Sequence, residues 1–169
     1  MSLTSSSYDT NKTKVIWQSF TKGFSVDLSD LEVIIRDSWI RSRKFNVKYD
    51  SPIEHKIIDI KMLKDNQLYQ IIVDNYTMLE SFVKIMAVHN SRINVYDSIN
   101  KTLFDVLGDS YIYIDLSEKK IGTNAVTLAL QKGKAITLHK YQHYHSNFNS
   151  SHCIAAPFKN YKGKTVGAI

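Results

Sequence analysis

Residues 117–133 read SEKKIGTNAVTLALQKG, and the chain continues through ITLHKYQHYH (136–145) to CIAAPF (153–158). Ile121-Gly122 loosens the backbone, and Thr123 or Asn124 can cap a helix by accepting a backbone N–H bond. Ala125, Val126, Leu128, Ala129 and Leu130 make the next segment almost wholly apolar. Gly133 ends it, because glycine takes the left-handed conformation that closes a helix. A helix this short cannot stand alone in water, so the stretch demands a sheet to pack on. The mouth of its capped N-terminus is the first candidate ligand position.

Outward from this stretch, the flanks read as strands. Towards the N-terminus lie YIYIDL (111–116), TLFDVL (102–107) and RINVYD (92–97), with a hairpin turn at Ser98-Ile99-Asn100-Lys101. Towards the C-terminus lie a strand at 135–138, a polar and aromatic loop from His139 to Ser151, and two strands, His152 to Phe158 and Lys164 to Ile169. Pro157 marks an edge or a strand terminus. Further upstream the period is helical. Ser29-Asp30-Leu31-Glu32 has capping-box spacing and predicts a helix from about Asp30 to Lys44. Its apolar stripe is Leu31, Ile34, Ile35 and Trp39, with Arg36, Arg41 and Arg43 facing away. This helix either docks through Trp39 or takes part in a dimer interface. Ser51-Pro52-Ile53-Glu54 predicts a second helix running through Ile57 to Leu63, with a break near Asp65-Asn66. A longer one follows from Leu68 to His89.

Helices first and an antiparallel sheet with one inserted helix second make an α+β domain. The expected division is a flexible segment over 1–28 and a single domain over 29–169. At 169 residues the chain suits one domain. No apolar run approaches the roughly 20 residues that span a bilayer, and there is no secretion pattern, so the expected location is cytoplasmic. The single cysteine, Cys153, excludes an internal disulfide. The net charge of +6 raises nucleic acid as a partner, but the basic residues are scattered and read as solvated faces. The chain ends within an apolar strand, which implies a piece of a longer protein.

Three constellations carry possible chemistry. His139, His143, His145 and His152 with Cys153 offer ligands of the type zinc, iron or copper takes. Against them stands the lack of CxxC or HExxH spacing, and HYHS alternates as exposed loop residues do. Cys153 beside a histidine imitates a nucleophile and base, yet CIAAPF is the setting of a small buried hydrophobe. Asp115 and Glu118 are neighbouring loop carboxylates, and no phosphate-binding GxxxxGK[ST] or GxGxxG run is present. No catalytic residue or cofactor is expected. Around the helix mouth, Glu118, Thr123 and Asn124 supply hydrogen-bonding groups, and Phe104, Tyr111 and Tyr113 either wall a cavity or fill the core.

Ser38-Trp39-Ile40-Arg41-Ser42, the 117–136 stretch, QHYH and SSHCIAAPFKNYKGKTVGAI together resemble the GAF-type sensor domain of bacterial sigma-54-dependent activators, of the acetoin-operon and dihydroxyacetone-regulator group. The resemblance implies an antiparallel sheet with flanking helices and the N-terminal helices packed on it. It also implies a small effector bound between the sheet and the helices on its distal face, and control of an attached AAA+ ATPase that lies outside these residues. On the matching motifs, Glu118 fits the acid before the glycine and Gly122-Thr123-Asn124 the GTN motif. His143 fits the histidine of a Glu-His pair, and Cys153, Ala155, Ala156 and Pro157 fit the CxAAP strand. Gln142 replaces the glutamate of that pair, Thr127 a glycine, Leu116 a tryptophan and His152 an aromatic residue, which leaves the effector's identity open. The expected ligand-binding residues are Tyr113, Glu118, Thr123, Asn124, His143 and Cys153. The domain is expected to be a homodimeric sensor with no direct contact to nucleic acid or membrane. A metal or redox sensor built on Cys153 and the nearby histidines is the alternative.

Overall fold

The structure, a computed structural model, describes residues 9–57, 61, 65, 67–78, 81, 94–97, 102–105 and 110–169. Helix α1 (Thr10–Thr21) begins at Asp9, whose carboxylate accepts the N–H groups of Asn11 and Lys12 at 2.9 and 3.0 Å. Within the segment expected to be flexible over 1–28, Thr10–Thr21 are helical, while residues 1–8 lie outside the described residues. Thr13, Trp17 and Phe20 are spaced to form one buried face, which gives a helix of ordinary polarity enough apolar area to dock.

Helix α2 spans Val33–Lys44. Ser29 does not cap it: its N–H and hydroxyl both bond Asp27, and Glu32 is the cap residue without a side-chain bond. The buried face is Ile35, Ser38, Trp39 and Ser42. Arg41 and Arg43 do not point away as the stripe suggested. Arg41 reaches Glu118, and the Arg43 guanidinium lies 3.4 Å from the centroid of the Phe20 ring. Long side chains carry a charge across a helix edge that periodicity treats as polar.

The start of the second expected helix is also corrected, because His55–Ile57 form strand β1, paired with a later strand; most of its run on to Leu63 lies outside the described residues. The Ser51 hydroxyl bonds the Lys48 carbonyl at 3.2 Å, closing a turn where a cap was expected. Tertiary pairing here overrides a local start signal. Helix α3 covers Gln67–Asp74; most of the remaining helix expected to reach His89 lies outside the described residues. Strands β2 (Asn94–Asp97), β3 (Thr102–Asp105) and β4 (Ser110–Ile114) form the expected antiparallel run. Then come α4 (Glu118–Ile121), α5 (Ala125–Lys132), β5 (Ile136–His139), 3-10 turns at Lys140–Gln142 and Ser146–Phe148, β6 (His152–Ala155), β7 (Pro157–Lys159) and β8 (Thr165–Ala168).

Among the described residues, six strands form one antiparallel sheet in the order β1-β4-β3-β2-β8-β7, and β5 and β6 form a second, two-stranded sheet. The strand expected over His152 to Phe158 therefore divides at Ala156. That residue exchanges two backbone hydrogen bonds with Ile169, at 2.8 and 2.9 Å, as the chain passes from one sheet to the other. The architecture is α+β. Helix α5 touches β5 and β6 as well as β7 and β8, so the inserted helix joins the two sheets. α1 packs on the 140–142 turn and α2 on α4. Trp17, Ile35, Trp39, Leu116, Leu128 and Leu138 share the core between them.

Candidate functional site

Glu118 opens α4 and is buried at 6% exposure, so its charge needs partners. Arg41 supplies a two-pronged one: Nε donates to Oε2 at 2.9 Å and Nη2 to Oε1 at 2.8 Å. The Ser38 hydroxyl also donates to Oε1. Thr123 Oγ1 donates to Ser38 Oγ at 2.7 Å, and Ser42 Oγ donates to the Ser38 carbonyl at 2.8 Å. The bond to Glu118 raises the pKa of Arg41 further. Ser38 and Ser42 are four residues apart and so meet on one helix face, with Arg41 at its margin. Between them Trp39 is fully buried, and its indole N–H donates to the Gln142 carbonyl at 2.9 Å.

The helix mouth is closed by the chain itself. Asn124 caps α5, its Oδ1 accepting the Thr127 N–H at 2.9 Å. Its amide nitrogen donates to the carbonyls of Leu116 and Gly122 at 2.8 and 2.9 Å. Thr127 Oγ1 adds a second bond to the Leu116 carbonyl at 2.8 Å. Gly122 has φ +73°, and a Cβ there would stand 2.6 Å from Tyr144 Cβ. Tyr144 in turn donates its N–H to the Thr123 carbonyl at 3.1 Å. Its carbonyl accepts the Trp17 indole N–H at 3.0 Å.

The segment 139–151 is not the exposed loop its composition suggested. His143 and His145 are buried at 1% and 0% exposure, with the Phe148 ring against both. His143 Nδ1 donates to the Lys140 carbonyl at 2.8 Å, which makes Nε2 an acceptor, and that buried atom has no hydrogen-bond partner among the described residues. Burial pushes the His143 pKa down to about 4, the nearby His139 and His152 adding to the effect against the Lys140 carbonyl. Burial lowers His145 as well, against the Ser51 backbone and Asp50. His145 Nε2 makes no hydrogen bond of full geometry, although the Ser51 backbone is near enough to be felt.

Of the six expected ligand contacts, Glu118, Thr123 and Asn124 thus gather at the α4–α5 junction, and His143 lies in the segment beside it. Cys153 stands half-buried on β6 opposite Leu138, its thiol pushed up by burial and so held from the reactive thiolate. Tyr113 belongs to the large sheet, opposite Thr102 and Lys56, while Phe104 stands opposite Tyr111. Alternation along the strands puts the Phe104, Tyr111 and Tyr113 positions on one face. Sequence reading missed Ser38, Arg41 and Ser42 as partners of the junction. The available signal was two serines four apart with an arginine between them, opposite one carboxylate with no assigned partner. Among the described residues no three His, Cys, Asp or Glu side chains converge as a metal site. An open groove of about 490 Å3 runs between the start of α2 and β5, lined by Glu32, Val33, Asp37, Lys132, Lys134 and Thr137 and by none of the six.

No protein-family model matches the chain, and no curated protein matches it. Among solved structures, a chain of the crystal structure of the E. coli DhaR(N)-DhaL complex is similar, with a TM-score of 0.68 and 19% identity. The match covers 81% of this chain and 50% of that one, so this chain spans about half its length. The likeness shows a shared fold.

Proposed function

We propose that the chain is the signal-sensing regulatory domain of a sigma-54-dependent transcriptional activator, of GAF type, and acts by binding with no chemistry of its own. The observation that carries this reading is the convergence of the separated motif segments. Ser38, Trp39, Arg41 and Ser42 meet Glu118, Thr123 and the QHYH stretch in one hydrogen-bonded unit, as parts of a single recurring domain should. The fold shared with a chain of the DhaR(N)-DhaL complex supports it.

The effector is a small molecule held on the large sheet, with the Phe104, Tyr111 and Tyr113 positions as its apolar wall. Glu118, Thr123 and Asn124 shape that site from behind, because their hydrogen-bonding capacity is already engaged. His143, with an unpartnered Nε2, and Cys153 complete the expected set. Binding favours one arrangement of sheet and helices, and that shift passes to the attached ATPase. Homodimerisation runs through α2, whose outer side exposes Val33 and Ile40 seven residues apart, and through the segment from Leu68 to His89 that the sequence predicts to be helical. No described helix is long and apolar enough to cross a membrane, which agrees with a cytoplasmic regulator.

A thermal-shift screen of diols, ketones, short acids, sugars and nucleotides tests the reading. A ligand at 100 times its Kd stabilises the fold by about 2.7 kcal/mol. The expected result is one chemical class that stabilises wild type and does not stabilise Tyr113→Ala. A hit retained in Tyr113→Ala moves the site off the sheet. If no class shifts the melting of well-folded protein, the effector reading fails.

A further inference from the structure

His139 ends β5 and His152 begins β6, and the register sets them directly opposite. Their rings stand 5.0 Å apart at 69°, with the two Nδ1 atoms separated by 2.7 Å. We propose that His139 and His152 form a cross-strand two-histidine site for one divalent cation of the zinc, nickel or copper class, held through both Nδ1 atoms. This goes beyond effector sensing and does not depend on it. It also does not use Cys153, which by strand alternation belongs to the other face of β6.

Neutral imidazole nitrogen is the ligand these metals favour, and the cation's demands on spacing are modest. Metal–nitrogen bonds of about 2.0–2.1 Å place two ligand atoms roughly 2.9 Å apart at a right angle and roughly 3.3 Å apart in a tetrahedron. The Nδ1 atoms therefore need to part by only a few tenths of an ångström. The Nδ1 hydrogen shared between the rings moves to Nε2 of the donor ring, a change of tautomer with no net proton loss.

The backbone holds the pair ready. The Lys140 N–H donates to the Ser151 carbonyl at 2.7 Å, and the His139 N–H donates to Gln142 Oε1 at 2.8 Å. Among the described residues no third His, Cys, Asp or Glu completes a three-ligand group. Coordination positions that the described residues leave unfilled go to water or to an incoming donor. The bound cation ties together the two ends of the 140–151 segment, whose carbonyls at Gln142 and Tyr144 receive the indole N–H groups of Trp39 and Trp17.

Titration of the untagged 169-residue chain with Ni2+ and Zn2+ by calorimetry, and with Cu2+ by electron paramagnetic resonance, tests the site. The expected results are one ion per chain, nitrogen hyperfine structure from two imidazoles, and a metal-dependent rise in Tm. Affinity should fall at least tenfold in each of His139→Ala and His152→Ala. His152 is exposed, so His152→Gln gives a folded variant should His139→Ala fail to fold. Absence of binding at millimolar metal overturns the proposal. So does wild-type affinity in either His152 variant.

Discussion

Arg41 is half-exposed, yet it holds a carboxylate that is nearly out of solvent, and this inequality sets the cost of losing it. Arg41→Met leaves Glu118 buried with the Ser38 hydroxyl as its remaining side-chain partner among the described residues and should lower stability by about 3 kcal/mol in urea unfolding. Arg41→Lys should recover only part of that, because a single ammonium cannot match both oxygens at once. Gly122 is constrained from two directions, by its positive φ and by the Tyr144 ring. Gly122→Ala should cost about 2–4 kcal/mol. Adding Tyr144→Gly, which removes both the ring and the Cβ that stands 2.6 Å away, should return the steric share and leave the backbone share, so a double-mutant cycle would show coupling. Asn124→Ala removes a cap and the amide donor to the Gly122 carbonyl, while the Leu116 carbonyl keeps the Thr127 hydroxyl; a loss of about 2 kcal/mol is expected.

At the scale of elements, α1 should behave as part of the folded unit. Trp17→Ala removes a buried indole and its bond to Tyr144 and should cost about 3–5 kcal/mol by chemical denaturation. Limited proteolysis should likewise spare Thr10–Thr21, and early cleavage within it would contradict its docking. This helix also shows how legibility varied. The α5 stretch was readable because its cap, apolar run and closing glycine lie within ten residues or so of each other. The meander from β2 to β4 was readable because its period of two is continuous. α1 was hidden because its buried positions, Thr13, Trp17 and Phe20, sit among serines, threonines and lysines. β1 was hidden because its pairing partner is far along the chain, while a helix-start signal stands directly before it. Of the site, Glu118, Thr123 and Asn124 were legible as a cluster. Their partners on α2 were not, since nothing in sequence pairs a carboxylate with an arginine 77 residues away.

For the molecule as a whole, the buried histidines set a pH dependence. Burial pushes the His143 pKa down to about 4 in the fold, from about 6.5 for a free imidazole. Between these values the unfolded chain takes up a proton that the folded chain refuses. Stability should therefore fall as pH drops from about 6.5 to about 4, with a share of about 3 kcal/mol from this group. His145 is shifted in the same direction and steepens the loss. Urea midpoints at pH 7.5, 6 and 5 check the slope, and His143→Gln should flatten it. The proposed homodimer predicts a mass by light scattering that halves on dilution or in a doubly charged Val33→Glu, Ile40→Glu variant. A monomer at every concentration counts against it.

The bonds from Trp17 to Tyr144 and from Trp39 to Gln142 span 127 and 103 residues. A ribosome adds roughly 5–20 residues each second, so the first two helices emerge about 5–25 seconds before their acceptors exist. Through that interval two tryptophans and their apolar neighbours have no native surface to cover them. The nascent chain consequently passes through a long window of exposure to chaperones and to self-association. Its yield in the cell should depend on translation speed and temperature more steeply than the stability of the finished domain does.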